Sequence, residues 1–252
     1  MQRSARQSFQ RSPHQPGTLY GIGVGPGDPE LITVKALKQL QSAPVVAFPA
    51  GRQGRSGVAE KTIRPWLTRQ QQQLPLSFPY VTDTQQLSAA WQQTADTVWP
   101  YLQTGDVVFA CEGDVSFYGT FTYLAQSLQQ RHPEVSIEVI AGISSPMAAA
   151  AALGIPLACQ HQRLAVLPAL YSANQLELVL SWAEVVVLIK VSSVYPQVWK
   201  ILQRHQLLAR SYIVENATRP EQKIYVGLQN HPDLELPYFS LLIVRQGQDP
   251  II

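Results

Sequence analysis

The sequence has few of the residues that build disulfide frameworks, metal clusters or nucleic-acid-binding surfaces. Its 252 residues include two cysteines, Cys111 and Cys159, too few for a disulfide framework or a cysteine-based metal centre. Charged residues make up 14% of the chain, and the formal net charge is +2. No long basic run occurs, so we expect no nucleic-acid partner. The apolar runs are shorter than the roughly 18 residues that a membrane-spanning helix needs, so no membrane association is expected.

The chain is nevertheless apolar enough to fold, since 46% of its residues are hydrophobic and its length suits one large or two small α/β domains. Short apolar strands alternate with amphipathic helices from residue 19 to residue 153, which indicates a mostly parallel sheet with helices on its faces. A second set of strands begins near Arg163. We therefore predict a disordered tail over 1–17, an α/β domain over 18–158 and a second α/β domain over 162–252.

The most informative segment is Tyr20–Leu31, in which four glycines alternate with other residues before a Pro-Gly-Asp-Pro turn. A dinucleotide fingerprint requires Gly-x-Gly-x-x-Gly, but counting from Gly21 places Pro26 at the last position. Counting from Gly23 places Asp28 there. No Gly-Lys-Ser/Thr follows, so the loop is not a phosphate-binding P-loop either. The apolar spacing that follows predicts a helix from Leu31.

Three further loops follow apolar strands, namely Cys111–Gly119, Ile140–Ala148 and Val214–Gln222. Ligands in open α/β sheets bind at the carboxyl ends of strands, so the Gly113-Asp114 turn is a candidate site. Ser144 and Ser145 stand where a helix should begin, and we expect one or the other to cap it. Backbone amides at such a helix start can also hold the polar part of a ligand.

Together the loops resemble those of the tetrapyrrole methyltransferases, which methylate uroporphyrinogen and the precorrins with S-adenosylmethionine. The match runs from Leu19 to Arg245 and begins with Gly-x-Gly-x-Gly-Asp-Pro-Glu-Leu-x-Thr-x-Lys-Ala. Val115 and Ala141 stand where the family usually has proline. The resemblance implies a two-domain α/β fold, with a mostly parallel N-terminal sheet, a mixed C-terminal sheet and a cofactor cleft between them. It also implies a homodimer. The two cysteines fit a reducing cytosol, so a cytoplasmic location is expected.

The resemblance also implies site residues. Carried over by motif, the contacts to S-adenosylmethionine fall on Pro26, Glu112, Gly113, Asp114, Phe117, Ser144, Ser145, Ile189, Lys190, Ala217 and Ser240. The tetrapyrrole substrate carries many carboxylates, so Arg52 and Arg55 are candidates to bind it, although two solvated surface arginines would look the same. Direct methyl transfer needs no covalent nucleophile and no metal. Glu112, Asp114 and Tyr118 are the nearest candidates for a base, and the sequence does not choose among them.

Two segments indicate which branch of the family the chain resembles. Phe48–Ser56 and Leu76–Asp83 are similar to the precorrin-2 carbon-20 methyltransferases, which act on a meso carbon in cobalamin (corrin) biosynthesis. Whether the substrate is metal-free precorrin-2 or its cobalt-loaded form stays open. Three alternatives also stay open. The enzyme methylates another ring carbon, it methylates a different substrate such as ribosomal RNA or diphthine, or the protein is a non-catalytic homologue that binds cofactor or tetrapyrrole. The two missing prolines motivate the last alternative.

Overall fold

The computed structural model describes residues 15–51, 55–78, 83–168 and 173–247. Within these ranges the chain forms ten strands and seven α-helices. The strands are β1 Thr18–Gly23, β2 Val45–Pro49, β3 Gln72–Leu76, β4 Val107–Cys111, β5 Ser136–Ile140, β6 Leu164–Pro168, β7 Val185–Ile189, β8 Ser211–Glu215, β9 Lys223–Val226 and β10 Ser240–Arg245. The helices are α1 Val34–Ser42, α2 Val58–Ile63, α3 Thr84–Leu102, α4 Phe121–Arg131, α5 Ser145–Leu153, α6 Ala173–Leu180 and α7 Tyr195–Arg204.

The first sheet has the order β3-β2-β4-β1-β5, and its paired strands are all parallel. Buried side chains of α1 and α2 cover one face, and those of α3 and α4 cover the other. The register sets Gly23 beside Cys111, so the carboxyl ends of β1 and β4 are neighbours. The parallel arrangement confirms the fold that the sequence predicts, and it brings several strand-end loops to one edge.

The second sheet is mixed, as the resemblance implies, with the order β6-β7-β10-β8-β9. Strands β6 and β7 are parallel, whereas β10 runs antiparallel to both β7 and β8. Helices α6 and α7 pack on one face. Helix α5 packs on the other, where Ala149 contacts the cluster that contains Val187 and Ile243. Although α5 precedes the predicted domain change, its buried face therefore packs against the second sheet.

The structure differs from the sequence predictions at several element ends. The helix predicted from Leu31 begins at Val34, because the Thr33 hydroxyl accepts a hydrogen bond from the Ala36 amide at 3.2 Å and caps it there. Helix α6 was not predicted. Residues 1–14 of the predicted tail lie outside the described ranges, whereas Gly17 is buried and its amide donates to the Leu102 carbonyl at 2.6 Å.

Candidate functional site

A cleft of about 260 Å³ lies between the two sheets, where their strand-end loops meet. Strands β1, β2, β4, β7 and β8 contribute residues at or just after their carboxyl ends. Strand β10 contributes its first residue, Ser240, because it runs antiparallel and starts beside the end of β8. All eleven residues that the resemblance assigns to the cofactor line this cleft: Pro26, Glu112, Gly113, Asp114, Phe117, Ser144, Ser145, Ile189, Lys190, Ala217 and Ser240.

Glycine backbones hold the first three loops in direct contact. The Gly113 amide donates to the Gly25 carbonyl at 2.8 Å, and the Gly25 amide returns a bond to the Gly113 carbonyl at 3.1 Å. Gly113 has φ +70°, a conformation that favours glycine. A Cβ on Gly142 would lie 2.3 Å from the Gly113 carbonyl oxygen. A side chain at Gly142 would therefore push the loops apart, whereas one at Gly113 has space but would strain the backbone.

Asp114 fastens the second loop to the third. Its Oδ2 accepts a hydrogen bond from the Gly142 amide at 2.7 Å, and its Oδ1 accepts from the Ser116 amide at 2.9 Å and from the Ser116 hydroxyl. Desolvation raises the pKa of this carboxyl, but the bonds from Ser116 and Gly142 outweigh it and leave the pKa below its ordinary value. Both oxygens are thus occupied, which suits a positioning role better than that of a base.

The two positions that lack the family's proline keep ordered surroundings. Val115 is 2% exposed and packs in the core beneath the second loop. The carbonyl of Ala141 accepts a hydrogen bond from the Thr33 hydroxyl at 3.2 Å. The loops are held by these contacts and by Asp114, so they do not depend on proline rings for their conformation.

Arg219 also lines the cleft. It lies within the fourth motif loop but is not among the residues that the motifs assign to the cofactor. Its Nη2 lies 2.9 Å from Glu112 Oε1, and its Nε donates to the Pro26 carbonyl at 3.0 Å. The guanidinium carbon lies 4.1 Å from the centroid of the Phe239 ring. Only 10% of the Arg219 side chain is exposed. Its position two residues after Ala217, which the resemblance assigns to the cofactor, was the available signal in the sequence. Its burial and its pairing with Glu112 are features of the tertiary structure.

Glu112 has an unusual environment for a carboxylate. Burial raises its pKa to about 7, against the opposing influence of Arg219 and Lys190. Its side chain lines the cleft and is 32% exposed, so it is partly enclosed by protein. Among the described residues, Oε1 accepts the bond from Arg219 and no hydrogen bond reaches Oε2.

Aromatic side chains form the rim of the cleft. Phe117 and Tyr118 meet edge to face with ring centroids 4.9 Å apart, and Tyr238 and Phe239 do so at 5.1 Å. Lys190 Nζ lies 5.9 Å from the centroid of the Tyr238 ring. Tyr238 and Phe239 directly precede Ser240 but were not predicted, because strand periodicity does not reveal which loop aromatics face a cleft.

Several non-glycine residues around the cleft adopt left-handed backbone conformations. Tyr118, Lys190, Asn216 and Thr218 have φ values of 54°, 58°, 48° and 68°. Such conformations cost on the order of 1 kcal/mol or more each and cluster where a ligand or a catalytic group must be presented at a fixed angle.

The structure does not place every predicted residue in the expected role. Arg55 is exposed and does not line the cleft, and Arg52 lies outside the described residues. The expectation that Ser144 or Ser145 caps α5 is wrong, because Ser145 is the first residue of the helix and Ser144, at the N-cap position, makes no capping hydrogen bond with its side chain. Tyr118, the third candidate base, lies on the rim and is 51% exposed.

In the part of the chain that the structure describes, no group of three or more His, Cys, Asp or Glu side chains could hold a metal ion. Over the same ranges, no helix has both the length and the apolar character needed to cross a membrane.

Residues 18–231 match the tetrapyrrole (corrin/porphyrin) methylases. The precorrin-2 C(20)-methyltransferase of Sinorhizobium sp is 34% identical over 92% of this chain and 97% of the relative. The cobalt-precorrin-2 C(20)-methyltransferase of Salmonella typhimurium is 31% identical over 91% of this chain and 97% of the relative. The Thermus thermophilus uroporphyrin-III C-methyl transferase, solved with S-adenyl homocysteine, has the same fold, with a TM-score of 0.65 and 19% identity over 91% of this chain and 92% of that one.

Proposed function

The chain belongs to the tetrapyrrole (corrin/porphyrin) methylase family, and from that membership we propose that it transfers a methyl group from S-adenosylmethionine to carbon 20 of precorrin-2, or of its cobalt-loaded form, in cobalamin biosynthesis. Two relatives similar along nearly their whole length carry this activity in their names. The observation that carries the proposal is the convergence of all eleven motif-derived residues on one cleft.

The chemistry of the cleft fits S-adenosylmethionine. Its volume of about 260 Å³ is close to the lower end of the roughly 300–1,000 Å³ typical of small-molecule sites. The serines at the start of α5 and the backbone around Gly113 offer polar contacts, and Ile189 and Leu241 offer apolar ones. When bound, S-adenosylmethionine supplies an electrophilic methyl group on a sulfonium. Glu112 and the loop around Ala217 would help to hold it.

The residues of the chain then have to align and shield the reaction. The meso carbon of a reduced tetrapyrrole is already nucleophilic, so orientation and exclusion of water account for much of the catalysis. Tyr118, Tyr238 and Phe239 are between 38% and 51% exposed, and these rim aromatics would be covered when the substrate binds. Methylation leaves a proton to be removed from the meso carbon. Glu112 has a pKa of about 7, and no residue in the described ranges donates a hydrogen bond to its Oε2, so it is better suited to take the proton than Asp114.

An anaerobic incubation tests the function. The protein is mixed with methyl-labelled S-adenosylmethionine and either precorrin-2 or its cobalt-loaded form, and the product is analysed by mass spectrometry and carbon NMR. We expect one labelled methyl group, on carbon 20, and none in a reaction without protein. The substrate that is accepted identifies the metal state. Transfer to another carbon would reject the carbon-20 assignment, and cofactor binding without transfer would favour a non-catalytic homologue.

Homodimerisation remains a proposal that rests on the resemblance to the family, and a cytoplasmic location remains one that rests on the two free cysteines. Analytical ultracentrifugation at micromolar concentration should give about twice the 27.9 kDa mass of one chain. Arg55 also remains a proposed contact for substrate carboxylates, from the surface outside the cleft. Replacing Arg55 with Ala should raise KM for the tetrapyrrole and leave the affinity for the cofactor unchanged.

A further inference from the structure

Arg219 lies between segments from both halves of the chain. It belongs to the loop after β8 in the second sheet, yet its guanidinium bonds to Pro26 in the loop after β1 and to Glu112 in the loop after β4. Its aliphatic stem crosses directly over Gly27, where a Cβ would lie 2.4 Å from the arginine Cγ. One side chain therefore joins the two walls of the cleft.

The loop that carries Arg219 is built to hold it in place. The Asp28 amide donates to the Thr218 hydroxyl at 3.1 Å, which makes a second link between the walls. The Thr218 amide in turn donates to Gln222 Oε1 at 2.7 Å. Asn216 and Thr218 both have left-handed backbone conformations, and such strain is retained where the surrounding contacts require one geometry.

The contacts of Arg219 point to positioning rather than to simple stabilisation. A desolvated ion pair recovers little free energy of folding, because burying both charges offsets their attraction. The pair is nevertheless placed at the cleft, where the guanidinium holds one oxygen of Glu112 and lies against the face of Phe239. Both of these partners line the cleft.

We propose that Arg219 is a positioning residue that joins the two walls of the cleft and sets the orientation of the Glu112 carboxylate and the Phe239 ring towards the methyl donor. This inference rests on the proposed function, because it concerns the donor of that same reaction. Arg219 acts through its neighbours and does not itself react.

Binding of S-adenosylhomocysteine, measured by titration calorimetry, tests the inference without turnover. Replacing Arg219 with Met removes the charge and the fork of donors, and should weaken binding about tenfold or more. Arg219→Lys keeps the charge but cannot donate to Pro26 and Glu112 as a fork, and should weaken binding about threefold. The matched control is Arg204→Met, since Arg204 is 64% exposed in its pair with Glu177, and its affinity should equal that of the wild type.

A double-mutant cycle separates positioning from a merely structural role. If Arg219 acts through Glu112, the affinity lost in the Glu112→Gln, Arg219→Met double variant should be clearly smaller than the summed losses of the single variants. Additive losses would show that Arg219 does not act through Glu112. Unfolding free energies measured in urea accompany each titration. Lower stability with wild-type affinity in both Arg219 variants would reduce Arg219 to a structural contact and overturn the inference.

The outcomes also distinguish this inference from the proposed function. Failure of the wild-type protein to bind S-adenosylhomocysteine would argue against the proposed donor. Wild-type binding together with unchanged affinity in the Arg219 variants would overturn only the positioning role. Should Arg219→Met not fold, the Arg219→Lys variant decides, because an affinity equal to that of the wild type contradicts the proposal.

Discussion

At the scale of single residues, Glu112 links the cleft to the pH dependence of folding. Its pKa is raised by burial to about 7 from an ordinary value of 4.5, even though Arg219 and Lys190 favour the charged form. A carboxyl with a higher pKa in the folded state binds its proton more tightly there. Its favourable contribution to stability is therefore complete below about pH 4.5 and is lost as the pH rises through about 7.

Replacing Glu112 with Gln should remove this decline. Between about pH 4.5 and 7, the unfolding free energy of the variant should fall less with pH than that of the wild type, as measured by urea denaturation at a series of pH values. Glu184 provides a control of opposite sign, since hydrogen bonds from Arg163 lower its pKa to about 2. The ionised Glu184 stabilises the wild type at pH values above the ordinary pKa of glutamate. The Glu184→Gln variant should therefore have a lower unfolding free energy than the wild type in that pH range. If the unfolding free energies of the wild type and of Glu112→Gln change with pH in the same way, the pKa of Glu112 is not raised in the folded protein.

Gly142 has no room for a side chain. A Cβ there would lie 2.3 Å from the Gly113 carbonyl oxygen and 2.6 Å from the Gly23 backbone, so Gly142→Ala must push the loops apart. We expect a loss of about 1–3 kcal/mol in unfolding free energy, together with weaker binding of S-adenosylhomocysteine. Gly105→Ala is the control, because its Cβ would meet only Pro44 at 3.5 Å. Equal stability of the two variants would show that the loops can yield.

At the scale of elements, the loops after β4 and β5 form one unit through Asp114. Asp114→Ala removes the acceptor for the Gly142 amide and for Ser116, and should cost about 1–3 kcal/mol. Ser116→Ala removes only the hydroxyl donor and should cost less. Urea denaturation gives both values. A larger loss for Ser116→Ala than for Asp114→Ala would show that Asp114 does not fasten the two loops.

The strands and most helices could be predicted because their signals are local. Strands such as β4 and β7 are continuous apolar runs with every residue buried, and a charged residue stands on either side of each run. Helix α6 was missed because it has eight residues, and Leu176, Val179 and Leu180 supply its strongly buried contacts. So short an apolar stripe does not distinguish a helix from a strand.

At the scale of the whole molecule, Arg245 ties the segment between the two sheets to the second sheet. It ends β10 with 1% exposure, and its guanidinium donates to the carbonyls of Pro156 and Leu157. Residues 154–163 connect α5 to β6, so this contact fixes the chain where it passes from one sheet to the other.

Arg245→Met should therefore destabilise the protein strongly. It leaves two carbonyls without their donor, and we expect a loss of about 2–4 kcal/mol in unfolding free energy. Arg204→Met, at an exposed ion pair, should stay within about 0.5 kcal/mol of the wild type. Thermal and urea denaturation of both variants measure the difference. A loss of under about 1 kcal/mol for Arg245→Met would show that water replaces the arginine.

The sequence by itself determined the α/β class, the order of the described strands and α-helices except α6, and the four loops that surround the cleft, because turns and apolar periods are properties of adjacent residues. It also placed eleven residues at one site through family motifs. Only the tertiary structure decided that Arg219, Tyr238 and Phe239 join them, that Asp114 bonds its own loop through Oδ1 and the loop after β5 through Oδ2, and that α5 packs on the second sheet. These facts depend on contacts between segments far apart in the chain, which no local pattern encodes.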